Sequence, residues 1–368
     1  MERCQVSPVS NHATSTDKPS KSTPAKHLVL VSGPGRSGTS AITGALSELG
    51  VHIPPPLVEA NRSNPRGFFE TRWVVEFHKS ILAKASTYEF DPDPAAVERV
   101  QRIVDGRARR QLREWLAGAA STDSRQLAVK DPRTVWVHDL WADVAAENAM
   151  TTSYLTTLRH PAEVAGSREQ YYGHSPDADR ARAYAINKVA GWINVSLLNE
   201  RQTRSNRRVF VRYNDLVTNW RSVMTTVQRS LGLEFTADVA STDEHPIDSF
   251  IAPTLYHVHT TWDDLDVPAD LRTIADAVWA ASEQLADDGS DDALEAEFDQ
   301  LSEQYRKLFT SAAAITSDLR VTAVNDTLAK ARRDAGRTES TGPPAAVDAT
   351  RGTVKRVARA IKRRLPGD

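Results

Sequence analysis

Four short apolar runs punctuate the chain: His27-Leu28-Val29-Leu30-Val31-Ser32, Leu127-Ala128-Val129-Lys130, Ser153-Tyr154-Leu155-Thr156-Thr157-Leu158 and Arg208-Val209-Phe210-Val211-Arg212. Each is too short for a stable helix and most are rich in β-branched residues, so each predicts a strand; the first, apolar without alternation, predicts one buried on both faces. Between the runs, apolar positions recur every three to four residues. Ala41, Ile42, Ala45, Leu46 and Leu49 predict a helix stopped by Gly50, and further helices are predicted over 97–116, 180–201 and 220–231, the last ending at Gly232. Residues 268–308 read as helix again, with Leu271, Ile274, Ala275, Val278 and Trp279 on one face and an acidic break at Asp287-Asp288-Gly289. Strands alternating with helices predict an α/β fold: one main domain, a parallel sheet with helices on both faces, and any site beyond the carboxyl ends of the strands.

The ends of the chain lack this patterning. Residues 1–26 are polar and aperiodic and are expected to form a disordered leader. The folded domain is placed at 27–310, a helical extension at 311–335, and a flexible linker with a basic tail at 336–368. With 46 basic and 48 acidic side chains spread along 368 residues, nothing global points to a nucleic-acid partner. Cys4 is the one cysteine, which excludes an intrachain disulfide and a cysteine zinc site and suits a reducing compartment. No stretch approaches about 18 uninterrupted apolar residues, and the leader has no secretory core, so a cytoplasmic protein is expected. The pattern leaves the oligomeric state open.

The first strand runs directly into Gly33-Pro34-Gly35-Arg36-Ser37-Gly38-Thr39-Ser40. Gly33 and Gly38 have the spacing of a P-loop, whose successive N–H groups and following helix N-terminus cradle phosphate oxygens. The lysine of that motif is missing: Thr39 holds its position, and Arg36 is the cation within the loop. No strand ends in a clear magnesium-holding acid, which argues against a nucleotide triphosphatase.

This loop resembles the 5′-phosphosulfate loop of the sulfotransferases that use 3′-phosphoadenosine 5′-phosphosulfate (PAPS), above all their bacterial carbohydrate and glycolipid branch. The resemblance implies that Gly35, Arg36, Ser37, Gly38, Thr39 and Ser40 hold the donor's 5′ end, with Arg36 also acting on the reacting group and with no metal. A second match follows the third strand, where Arg159-His160-Pro161 opens a helix carrying Ser167. It is similar to the family's 3′-phosphate element, an arginine at a strand end and a serine eight residues on. An arginine fork and a hydroxyl suit the phosphate monoester that distinguishes PAPS from ATP.

Transfer needs a group to accept the hydroxyl proton and a cation to stabilise the leaving phosphate oxygen. Glu70-Thr71-Arg72 resembles the segment bearing the catalytic glutamate of tyrosylprotein sulfotransferases, so Glu70 is the candidate base, beside Phe68 and Phe69, with Glu59 in reserve. Lys130-Asp131-Pro132-Arg133 resembles the family's Lys-Asp-Pro segment; Lys130 is the candidate cation, Arg133 a partner for Glu70 or substrate, and Asp131 a turn former. Arg212-Tyr213-Asn214-Asp215-Leu216 is similar to an Arg-Tyr-Glu-Asp-Leu element, with Asn in place of Glu, which implies that Arg212 and Tyr213 line the donor site. Asp215 is equally placed to cap the next helix. His160, His257 and His259 occupy no position that suggests a base or a metal.

The acceptor is not written in these motifs. Trp73, Trp115, Tyr171 and Tyr172 suit stacking on a sugar or filling a core, and by resemblance the acceptor is a glycan or glycolipid hydroxyl. The tail places Val354, Val357, Ala358, Ile361 and Leu365 on one helical face beneath Lys355, Arg356, Arg359, Lys362, Arg363 and Arg364, a pattern that fits either peripheral contact with an anionic membrane or a disordered basic tail. A lysine-less P-loop kinase or ATPase and a non-catalytic nucleotide-binding protein remain as alternatives.

Overall fold

The structure is a computed structural model that describes residues 26–61, 64–121, 123–168, 177–251 and 260–316, with 326 and 329. The leader up to residue 25, Tyr171, Tyr172, His257, His259 and the basic tail lie outside the described residues.

The elements run β1 (Lys26–Ser32), α1 (Thr39–Glu48), α2 (Arg72–Lys84), α3 (Ala96–Ile103), α4 (Gly106–Ala119), β2 (Gln126–Lys130), α5 (His138–Glu147), β3 (Met150–Leu158) and α6 (Pro161–Arg168). They continue with α7 (Ala178–Thr203), β4 (Arg208–Arg212), α8 (Tyr213–Thr218), α9 (Trp220–Leu231), α10 (Pro246–Phe250), α11 (Ala269–Asp287) and α12 (Asp292–Ile315). All strand pairs are parallel, in the order β2-β1-β3-β4. From β1 the chain goes first to one side and then crosses to the other, so the strand order reverses at β1. The crevice outside that reversal is where open α/β sheets bind ligands.

Alternation along β1 divides the interior. Leu28 and Leu30 pack with α2 to α5, while Val29 and Val31 pack with α1, α8 and α9; all four are fully buried. Burial on both faces explains why β1 reads as continuously apolar. A third cluster joins Leu158 and Phe210 to α6, α7, α11 and α12.

Several boundaries differ from the sequence reading. The helix expected over 97–116 is two, because Asp105 turns the chain and accepts hydrogen bonds from the Arg107 and Ala108 amides, capping α4. Lys26 pairs with Met150 in the sheet and so belongs to β1. The acidic break does separate two helices, but α12 continues to Ile315, across the boundary placed at 310. Asn219, not Asp215, caps α9; Asp215 lies inside α8. Among the described residues no helix is long and apolar enough to cross a membrane.

Candidate active site

The parallel register sets the end of β2 and the loop after β3 beside the loop that follows β1, since Val31 pairs with Lys130 and Ser32 with Thr156. The loop rests on buried hydroxyls. Ser37 Oγ donates to the Pro34 carbonyl at 2.6 Å, which leaves it to accept from Thr157 Oγ1 at 2.8 Å. Ser32 donates to Asn199 Oδ1 at 2.8 Å, and the Asn199 amide donates to Thr156 at 2.9 Å. Gly33 lies at φ 122°, where a Cβ would stand 2.7 Å from the Thr157 carbonyl oxygen. Gly38, at φ 96°, precedes α1, and a Cβ there would enter the Tyr213 ring. Both turns therefore depend on glycine. No side chain caps the N-terminus of α1, which leaves its first amides directed at the crevice.

On the β2 side, Lys130 Nζ donates to Glu70 Oε1 at 2.6 Å and to Ser40 Oγ at 3.3 Å. The pair is buried, with side chains 3% and 12% exposed. Glu70 is carried there by a strand-like pairing in which Val58 N–H donates to the Glu70 carbonyl and Arg72 N–H to that of Pro56. Burial pushes the Glu70 carboxyl above the usual glutamate value, and the negative charge of Asp131 adds to this, against the lowering influence of Lys130 and Arg133. Asn64 also donates to Ser40, at 3.2 Å, a contact that no motif announces. Glu59, next to Val58 in the strand-like pairing, keeps its side chain out of the buried cluster: it is 88% exposed and pairs with Arg72 at 3.2 Å.

Asp131 is fully buried as the cap of a 3₁₀ turn over Pro132–Val137, accepting from the Arg133 amide at 3.0 Å and the Arg133 guanidinium at 2.7 Å. His78 Nδ1 contacts its other oxygen at 2.9 Å, and Trp141 Nε1–H donates to His78 Nε2 at 2.9 Å. An indole N–H only donates, so Nε2 accepts and the imidazole carries its proton on Nδ1, facing Asp131. Burial works to raise the Asp131 pKa, but the hydrogen bond from His78 and the charge of Arg133 hold it below the usual aspartate value. Arg133 is thus engaged by Asp131 and, at 3.7 Å, by Glu89, rather than paired directly with Glu70.

On the β3 side, Arg159 donates to the Arg36 carbonyl at 3.2 Å and to Glu163 at 2.9 Å, while Arg36 Nε donates to Ser167 Oγ at 3.1 Å. Arg36 stands at φ 77°, an uncommon conformation for a non-glycine residue, and it turns the side chain toward α6. The Arg159 guanidinium lies 5.1 Å from the centre of the Tyr213 ring. Burial raises the Tyr213 phenol, opposed by the positive charges of Arg159, Arg36 and Arg66.

Arg212, expected beside Tyr213, goes elsewhere. It contacts Asp287 at 2.8 Å, Asp215 at 3.3 Å and Glu283 at 3.4 Å, tying β4 to α11. The acids of α11 hold the fork away from the loop. A cleft of about 390 Å³ opens on that side, lined by Arg212, Asn214, Asp215 and Asp287 and by none of the loop residues. Trp73 stacks on Trp115 at 4.9 Å, and both rings, partly buried, pack against the core. The His160 ring lies against Trp262 and Trp279 and accepts from the Ala162 amide at 3.3 Å; burial lowers its pKa. Glu89 is the residue that motifs missed most plainly. It lies in the connection after α2, close enough to Gly35 that a Cβ there would clash with its carboxylate, and it pairs with Arg168 at 3.0 Å.

No protein-family model matches the chain, and no curated protein matches it. Among solved structures it is similar to the sulfotransferase domain from the Synechococcus PCC 7002 olefin synthase, at 18% identity over 78% of this chain and 97% of that one, with a TM-score of 0.36. It is similar to the sulfotransferase STF1 from Mycobacterium tuberculosis H37Rv at 14% identity, over 70% of this chain and 77% of that one, with a TM-score of 0.37. The sulfotransferase domain from the curacin biosynthetic pathway matches at 14% identity, over 76% and 97% of the two chains, with a TM-score of 0.36.

Proposed function

We propose that this chain is a sulfotransferase that moves a sulfuryl group from PAPS to a hydroxyl on a carbohydrate or glycolipid. The observation that carries the proposal is the meeting of Lys130 with both Glu70 and Ser40, which puts a carboxylate and an ammonium together at the head of a phosphate-type loop that has no lysine of its own. A sulfuryl group carries one charge fewer than a terminal phosphoryl, so backbone amides, a helix N-terminus and these cations suit it.

In the proposed reaction Glu70 accepts the acceptor's hydroxyl proton as the oxygen attacks sulfur. The bond from sulfur to the bridging phosphate oxygen breaks, its electron pair stays on that oxygen, and adenosine 3′,5′-bisphosphate leaves with its new charge stabilised by Lys130. The raised basicity of Glu70 suits proton abstraction, and the ion pair holds both groups in place before substrates arrive. Amides of the loop from Gly35 to Ser40, including those of Ser37, Gly38 and Thr39, hold the phosphosulfate. Arg159 and Ser167 hold the 3′-phosphate, with Arg36 bridging the two ends and Tyr213 lining the donor.

Calorimetric titration with adenosine 3′,5′-bisphosphate, ADP and ATP, with and without magnesium, tests this directly. Selective binding of the 3′-phosphorylated nucleotide without magnesium, lost in Arg159→Ala, is the expected result. Preference for ATP with magnesium would overturn the proposal.

A further inference from the structure

Beyond the loop, on the side of Gly35, four residues form an array that the transfer chemistry does not use. Tyr88 is 41% exposed, unusual for a large ring among the described residues, yet it is fixed: the Asn187 amide donates to its hydroxyl at 3.1 Å. Lys188 Nζ donates to Asn187 Oδ1 at 3.1 Å and lies 5.0 Å from the centre of the Tyr184 ring and 5.7 Å from that of Tyr88. Tyr88 directly precedes Glu89, which abuts Gly35, so the array adjoins the loop.

Charge distinguishes Lys188 from its neighbours. Arg133 is matched by Asp131, and Arg168 by Glu89. Lys188 is partly buried beside two rings with no carboxylate within 4 Å among the described residues, and burial together with the charge of Arg168 lowers its pKa against the opposing influence of the more distant Glu89. A cation held this way by neutral groups retains donors for an incoming anion. The fixed, exposed ring of Tyr88 offers an apolar surface with a polar rim, which matches the C–H faces and hydroxyls of a pyranose.

We infer that Tyr88, Tyr184, Asn187 and Lys188 form the acceptor subsite, and that it takes a sugar ring bearing a carboxylate. This rests on the sulfotransferase reading, which places the reacting sulfur at the adjoining loop. Tyr88 stacks on the ring and Lys188 meets the carboxylate.

The test uses the full chain saturated with adenosine 3′,5′-bisphosphate and two probes, p-nitrophenyl β-D-glucuronide and p-nitrophenyl β-D-glucoside, with affinities measured by calorimetry or saturation-transfer NMR. The glucuronide should bind about tenfold or more tightly than the glucoside, as expected for one charge-assisted hydrogen bond. Lys188→Met should abolish that preference while leaving the glucoside unchanged, and Tyr88→Ala should weaken both sugars. Undiminished bisphosphate binding by each variant shows that it is folded. Equal binding of the two sugars by the unaltered protein, a preference that survives Lys188→Met, or no sugar binding at all would overturn the subsite while leaving the donor reading intact. Failure to bind the bisphosphate would instead withdraw the sulfotransferase reading and the subsite with it.

Discussion

The carboxyl ends of β2 and β4 each carry a long cation, Lys130 and Arg212, yet the two side chains keep different company. Lys130 is 3% exposed and meets Glu70 and Ser40 at the loop. Arg212 is met by Asp215, Glu283 and Asp287 and fastens an edge strand to α11. β2 adjoins β1, whose loop passes over its end, whereas β3 separates β4 from β1. A cation at a strand end therefore meets the loop where the neighbouring strand carries it; away from that strand the nearest acids take it. One residue along, Tyr213 still reaches the site because its ring packs beneath Gly38.

Substitutions can break this comparison, and the largest effects belong at β2. Glu70→Gln should slow transfer by about 10²–10⁴-fold, and Lys130→Met by about 10²–10³-fold. Glu70→Gln should leave bisphosphate binding within about twofold in calorimetry, as befits a group that acts on the acceptor's proton, whereas Lys130→Met should weaken it, because the bisphosphate carries on its 5′-phosphate the charge that Lys130 stabilises. A variant of either residue that transfers at the unaltered rate would remove the distinction between the two strand ends.

Arg159→Ala should weaken bisphosphate binding by roughly 10–100-fold, the range for a lost hydrogen bond to a charged group. The pH profile sharpens the assignment at Glu70. Its carboxyl titrates above the usual value of 4.5, and only the ionised form accepts a proton, so kcat/KM should fall about tenfold per pH unit below a limb lying above 4.5. A profile flat to below 4.5 would exclude Glu70 as the base. The smallest effect is expected at β4: Arg212→Ala should cost up to about 1 kcal/mol in denaturant unfolding, as partly exposed ion pairs do, with bisphosphate binding unchanged. Binding lost to the extent expected of Arg159→Ala would show that Arg212 faces the donor.

The strands were legible because each is an apolar run of the right length, and α9 because Trp220 and Gly232 bracket its periodicity. The split between α3 and α4 was hidden, since apolar spacing continues across Asp105 and only the side chain's turn onto the following amides reveals the cap. Lys130 and Glu70 could each be named from a local motif, but their contact spans 60 positions and follows from the pairing of residues 56–58 with 70–72, which carries no motif. Arg212 was misplaced for the converse reason: its strongest partner, Asp287, lies 75 positions away on a helix whose own pattern says nothing about β4. Glu89 and Lys188 belong to no motif, and three-dimensional proximity alone distinguishes them.

The strand that bears the loop comes first along the described chain, but its two neighbours come much later, at 126–130 and 150–156. During synthesis Leu28, Val29, Leu30 and Val31 must therefore wait, unpaired and apolar, while the helices of one face emerge. The hydroxyls of Thr156 and Thr157 that floor the loop arrive only with β3. Nascent chains ending before Met150 would carry the loop without its floor and an apolar central strand open along one edge, a burden for chaperones.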